Sequence, residues 1–85
     1  MNRKEIYEKL IAIFEDVLEI ENVNLSDETT ANDVDGWDSL AHITLISEIE
    51  DSFDIKIPMK VVLSLKNVGE LVDVIQEQLG WLFIT

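Results

Sequence analysis

The sequence predicts an all-α protein: a single four-helix bundle with a long first connection and a short third helix. Apolar residues recur at steps of three and four in several stretches, which is the spacing of a buried helix face. The 85 residues include only 3 glycines and 1 proline, so few positions interrupt a helix. A long polar segment separates the first two apolar stretches. A chain of this length is typical of one domain, which we assign to residues 1–85.

The first helix is predicted over residues 3–19. Its apolar residues form two adjacent stripes that together make one wide face: Ile6, Leu10, Ile13 and Val17, beside Tyr7, Ile11, Phe14 and Leu18. Residues 20–38 are rich in Asn, Asp, Ser, Thr and Gly and predict a long loop. Loops of this length are uncommon in compact domains and are usually functional. We expect Val23, Leu25 and Val34 to hold it against the core.

The second helix is predicted over residues 39–52, with Asp38 as its N-cap. Its apolar positions are Ile43, Ile46, Ile49 and Phe53, with Leu45 beside them. We expect Phe53 and Asp54 to end the helix, and Ile55 and Ile57 to turn the chain inward.

The third and fourth helices are predicted over residues 59–64 and 68–79. Pro58 suits the start of the first of these, and Asn67 followed by Glu70 has the spacing of a capping box for the second. Gly80 is expected to end the last helix. The remaining apolar tail, residues 81–85, is expected to fold back onto the bundle, with a partner contact or dimerisation as the alternatives.

The charge excludes several functions. The net charge is −12, and no Lys or Arg occurs between Lys9 and Lys56. Such a field repels nucleic acids and anionic lipid surfaces, and favours partners with basic patches. The absence of cysteine excludes disulfides and cysteine-bound metal. The N-terminus lacks the apolar run of a secretory signal, and no stretch approaches the ~18 apolar residues of a membrane span. We therefore expect a soluble cytoplasmic protein, and, as a separate expectation, a monomer.

A serine at the start of the second helix is the best candidate for chemistry. In the segment DGWDSL, residues 35–40, Ser39 follows a glycine turn and an acidic cap. Free N–H groups and the positive end of the helix dipole at such a position suit a covalently attached phosphate. Asp38 would serve as the cap and as an acidic contact for a modifying enzyme. The alternative is that Asp38 and Ser39 only begin the helix.

The chain resembles the acyl carrier protein family over residues 3–79. The resemblance rests on the segment GWDSL, on the isoleucines that follow it and on the Ile57–Pro58 pair before the third helix. The resemblance implies a carrier without catalytic activity, in which Ser39 of the Asp38–Ser39–Leu40 motif accepts 4′-phosphopantetheine from coenzyme A. A thiol for acyl transfer would come from this cofactor, since the chain has no cysteine. The phosphopantetheinyl transferase and acyl-transfer or synthase enzymes with basic patches are the implied partners.

The resemblance also implies a docking surface on the second and third helices. Its candidate residues are Leu40, Ile43, Glu50, Asp51 and Val61. It further implies that the core can open for an acyl chain, with Ile46, Ile57, Val62, Leu65 and Leu71 as candidates for its lining. From the residues alone, these side chains are simply core. Thr44, where fatty-acid carriers often have an acid, and a third helix without acids indicate a specialised carrier.

Three alternative functions are considered, two of which remain open. The cargo could be an aminoacyl, peptidyl or polyketide group, since Trp37 before the motif also occurs in such carriers. A cofactor-free acidic interaction domain would explain the helices and the charge without a role for Ser39. A calcium loop fits residues 32–36 locally, but Ala31 and His42 would then occupy ligand positions, so we expect no metal site. His42, one turn after Ser39, is expected to face solvent.

Overall fold

The computed structural model describes the backbone of residues 1–84 and the side chains of residues 1–80. Over this part the chain forms four α-helices and no strands. They are α1 (Arg3–Leu18), α2 (Ser39–Phe53), α3 (Met59–Ser64) and α4 (Val68–Ile84), with a short 3-10 helix at Ala31–Asp33 in the α1–α2 connection. The predicted four-helix fold is confirmed. The predicted bounds of the first three helices are confirmed to within one residue.

The predicted cap of α4 by Asn67 is confirmed, but the reciprocal bond of a capping box is not formed. The Asn67 Oδ1 atom accepts the Glu70 N–H at 2.8 Å, although the Glu70 carboxylate accepts from Lys66 N. Asn2 and Glu5 form a reciprocal capping box at the start of α1. At the other ends, α1 and α2 both stop at an acidic residue in the left-handed conformation, Glu19 and Asp54, each with φ 55°.

The predicted end of the last helix at Gly80 is wrong. Helix α4 continues through Gly80 to Ile84. A glycine that ends a helix adopts a positive φ, and among the described glycines only Gly36 does so. Glycine inside a helix costs only about 1 kcal/mol relative to alanine. The expected contacts of the apolar tail depend on the side chains of residues 81–85, which lie outside the described part.

One hydrophobic core joins the helices, with α1 packed against both α2 and α4. Phe14, Ile49 and Ile75 are completely buried at its centre. Ile55 and Ile57 are buried, as predicted, and bring the chain inward between α2 and α3. Val34 is buried and Val23 and Leu25 pack against the core, so the expected anchoring of the long connection is confirmed. Within residues 1–84, no helix is long and apolar enough to cross a membrane.

The first half of the α1–α2 connection is fixed to the start of α4. The N–H groups of Val68 and Gly69 donate to the carbonyl oxygens of Thr29 and Asp27, at 2.8 and 3.0 Å. At Gly69 the two segments are so close that a Cβ atom would lie 2.8 Å from the Asp27 carbonyl oxygen. Only glycine fits this approach without moving the backbone.

Polar side chains strengthen the same contact. The Arg3 guanidinium donates to Asp27 and to Asp73, both at 2.9 Å, and the Tyr7 hydroxyl also donates to the Asp27 carboxylate. The hydrogen bonds from Tyr7 and Arg3 hold the pKa of Asp27 below its usual value. Burial, followed by the hydrogen bond to Asp27, raises the pKa of Tyr7 to about 12. This network joins α1, the connection and α4.

Candidate functional site

Ser39 is the first residue of α2 and is exposed to solvent. Asp38 is the N-cap: its Oδ1 atom accepts the Ala41 N–H at 2.8 Å, and its carbonyl oxygen accepts the His42 N–H at 2.8 Å. Asp38 is exposed as well. The predicted position of the serine, at a capped helix start facing solvent, is therefore confirmed. A phosphodiester on its hydroxyl would meet the positive end of the helix dipole.

The turn before Ser39 depends on glycine and on a partly buried indole. Gly36 has φ 84°, a conformation that other residues rarely adopt, and its carbonyl oxygen accepts the Asp38 N–H at 3.1 Å. The Trp37 ring then packs edge-on against Phe14, with ring centroids 4.9 Å apart. Trp37 thus holds the end of the connection to α1, and Ser39 emerges directly after this anchor.

His42 lies against the protein and not in solvent, so the expectation for this residue is wrong. Its ring is half-buried and stacks on Trp37. The Trp37 Nε1–H donates to His42 Nδ1 at 3.1 Å. Indole nitrogen is only a donor, so Nδ1 carries no proton and Nε2 donates to the Val62 carbonyl oxygen, also at 3.1 Å. Helical spacing does not indicate these partners, because Trp37 lies on the loop before α2 and Val62 lies on α3.

A cavity of about 600 Å³ opens beside Ser39, between α2, α3 and the start of α4. Its apolar wall includes three of the five predicted lining residues; the other two, Ile46 and Ile57, are buried in the core and do not reach it. The polar rim comprises Asn32, Asp38, His42, Lys66 and Asn67. The apolar wall comprises Ile43, Val62, Leu63, Leu65 and Leu71, together with Trp37 and the methyl of Ala31.

The surface around Ser39 exposes large apolar side chains. Leu40 is 78% exposed, immediately after the serine, and Leu63 on α3 is 73% exposed. Ile43 and Met59 are also exposed, whereas Val61 is half-buried against the core. Of these exposed side chains, Ile43 and Leu63 lie together at the wall of the cavity, and exposed apolar side chains on a small protein are candidates for contact with other molecules.

The two acids that the resemblance assigned to docking have different surroundings. Asp51 is exposed on α2. Glu50 is half-buried, and its Oε2 atom accepts the Ile57 N–H at 2.8 Å, which supports the turn between α2 and α3. Among the described residues, no group of three or more His, Asp or Glu side chains is arranged to hold a metal ion.

Comparison with known proteins finds phosphopantetheine carriers. The family described as "Phosphopantetheine attachment site" matches residues 8–75, which include Ser39. The chain is 34% identical over 81 residues to an acyl carrier protein of Guillardia theta, covering 94% of this chain and 99% of that protein. It is 45% identical over 56 residues to a mitochondrial acyl carrier protein of Saccharomyces cerevisiae, covering 66% of this chain and 45% of that one.

A solved structure agrees with these relatives. The solution structure of a holo acyl carrier protein from Geobacter metallireducens superposes with a TM-score of 0.82 at 38% identity, covering 89% of this chain and 87% of that one. The chain belongs to the acyl carrier protein family. It is a non-catalytic carrier whose prosthetic group is 4′-phosphopantetheine, and phosphopantetheinyl transferase and acyl-transfer enzymes are the partners this family implies.

The described residues are compatible with a 4′-phosphopantetheine group attached at the start of α2. An exposed hydroxyl, a capped helix start and an adjacent open cavity leave room for a long flexible arm. When bound, the group supplies the thiol that carries acyl groups as thioesters, which no side chain of this cysteine-free protein can do.

Proposed function

We propose that Ser39 carries the 4′-phosphopantetheine group and that the protein presents acyl thioesters on it to enzymes of fatty-acid, lipid or specialised-metabolite biosynthesis. The observation that carries this proposal is the exposed hydroxyl of Ser39 at the capped start of α2, beside an open cavity. Asp38 supports the site in two ways, as the cap that shapes the turn and as an exposed acid next to the modified oxygen. Leu40, exposed beside it, offers a contact to the modifying enzyme.

The partner surface consists of Leu40, Ile43, Asp51, Glu50 and Val61 on α2 and α3. Leu40, Ile43 and Asp51 are exposed and support direct contact with a partner. Glu50 and Val61 contribute mainly by fixing the turn before α3 and the seat of α3 on the core. The net charge of −12 favours partners with basic patches, because opposite fields accelerate encounter. The proposed state is a cytoplasmic monomer.

Two features favour a pathway more specialised than bulk fatty-acid synthesis. Thr44 is exposed on α2 where many fatty-acid carriers place an acid, and α3 has no acidic residue but exposes Met59 and Leu63. A partner for this surface would need an apolar contact beside its basic residues. An aminoacyl, peptidyl or polyketide cargo uses the same attachment chemistry and remains an alternative.

The decisive experiment is intact mass spectrometry after incubation with coenzyme A, magnesium and a broad-specificity phosphopantetheinyl transferase. We expect one phosphopantetheine adduct on the wild-type chain and none on Ser39→Ala. Ser47→Ala is the matched control, since Ser47 is an exposed serine further along the same helix. An adduct on Ser39→Ala, or none on a folded and previously unmodified wild-type chain, would contradict the assignment of Ser39.

A further inference from the structure

The path from Ser39 into the hydrophobic core runs along one face of α2. Residues at steps of three and four lie on the same side of a helix, and from Ser39 these are His42, Ile43, Ile46, Ile49 and Phe53. Ile46, Ile49 and Phe53 are buried. His42 and Ile43 both lie on this side of α2 between the exposed serine and the first buried isoleucine; Ile43 is exposed, whereas His42 is half-buried and hydrogen-bonded.

The imidazole of His42 is held from both sides. Trp37 donates to its Nδ1 atom, and its Nε2–H donates to the carbonyl oxygen of Val62 on α3. These two bonds join the end of the connection, α2 and α3 at the wall of the cavity, which all three residues line. An alkyl chain that passed this point would separate two donors, Trp37 Nε1–H and His42 Nε2–H, from their two acceptors, and burying apolar atoms would not restore those bonds.

We propose that His42 is a specificity-determining residue that limits the length of the acyl group this carrier can shelter. Short acyl groups lie in the cavity against Ile43 and Leu63. Longer groups do not pass beneath the bond between His42 and Val62 to reach Ile46, and their distal carbons stay in solvent. The proposal rests on the attachment of the arm to Ser39, and it adds the class of cargo that the protein protects.

The test loads the full-length chain with non-hydrolysable amide analogues of acyl-phosphopantetheine, from butyryl through octanoyl to dodecanoyl, and measures the melting temperature (Tm) of each. Intact mass confirms loading first, so a failure of the attachment site is seen before the length series begins. In the wild type we expect Tm to change by less than about 1 °C between octanoyl and dodecanoyl, because the added methylenes are not buried.

In His42→Leu, which removes both hydrogen bonds, we expect the same extension to raise Tm by roughly 5 °C or more, since each buried methylene stabilises the folded state. Thr44→Leu makes a similar polar-to-apolar change at an exposed position of the same helix and should behave like the wild type. The readout is the dependence of Tm on acyl length, which a purely structural effect of the substitution would leave unchanged.

A second measurement does not depend on the variant. Nuclear Overhauser contacts of the terminal methyl of a dodecanoyl chain on the wild-type protein should be absent for Ile46 and Ile49. Contacts to these two residues, or a wild-type Tm that rises from octanoyl to dodecanoyl as much as in His42→Leu, would overturn the proposal.

Discussion

The α1–α2 connection is tied to two helices near Asp27, whereas at its other end Asp38 and Ser39 lie in solvent. Near Asp27 the contacts include two backbone hydrogen bonds to α4, side-chain bonds from Arg3 and Tyr7, and the close approach of Gly69. Near Ser39, contacts with the rest of the fold come from Trp37 and His42. One part of the connection thus holds three elements together, while its other end leads to the exposed hydroxyl of Ser39 at the start of α2.

The largest expected effect on the free energy of unfolding is at the Asp27 end of the α1–α2 connection. Gly69→Ala places a Cβ atom against the Asp27 backbone, so we expect the free energy of unfolding to fall by about 1–3 kcal/mol. Chemical denaturation measures it. Gly80→Ala is the matched control, because nothing lies within 4 Å of the added Cβ and the helix should gain about 0.5–1 kcal/mol. Equal effects at the two glycines would show that the Asp27 contact does not constrain α4.

A smaller effect on stability near Asp27 depends on pH, through the ionisation of Tyr7. Tyr7 is the only tyrosine, so its ultraviolet absorbance titrates this site directly, and we expect the raised pKa of about 12. The folded state keeps a proton that the unfolded chain releases near pH 10, so this stabilisation is present below pH 10 and is lost as pH rises through about 12.

Asp27 has the opposite dependence. Its pKa is lowered, so its stabilisation is present above the unfolded value of 3.8 and is lost as the solution becomes more acidic. In Asp27→Asn the pKa of Tyr7 should fall but stay above 10, because burial is the main cause of its shift. A wild-type Tyr7 that titrates near pH 10 would mean that this network does not form.

The smallest effect on stability is expected on the exposed surface after Ser39. Asp51→Lys should change the free energy of unfolding by less than about 0.5 kcal/mol, since Asp51 is exposed. It should lower kcat/KM of a phosphopantetheinyl transferase for this chain about tenfold, through lost attraction to a basic patch. Glu8→Lys makes the same charge change on α1 and should have little effect on kcat/KM. A similar loss in both variants would indicate net charge instead of a local docking surface.

The comparison also explains which features the sequence could predict. Helix starts at Ser39, Met59 and Val68 follow from local caps and from Pro58, and apolar spacing predicted the buried faces. The contacts of Asp27 with Arg3 and Asp73 join residues far apart in the chain, and no local pattern indicates them. The expectation for His42 is wrong because both its partners lie outside α2, and the periodicity of a helix indicates only which residues share a face of that helix. The predicted stop at Gly80 is wrong because a single glycine is a weak stop signal: a helix can continue through it at a cost of only about 1 kcal/mol.

The acidic left-handed residues that end α1 and α2 have a consequence for protein engineering. Glu19 and Asp54 hold a backbone conformation that glycine adopts more easily, and each places a negative charge at the negative end of a helix dipole. Glycine at either position would remove both the backbone strain and the unfavourable interaction of the charge with the helix dipole. Substitution of these two surface residues by glycine should therefore raise the thermostability of the protein without altering the core or Ser39. The two substitutions would also remove two negative charges.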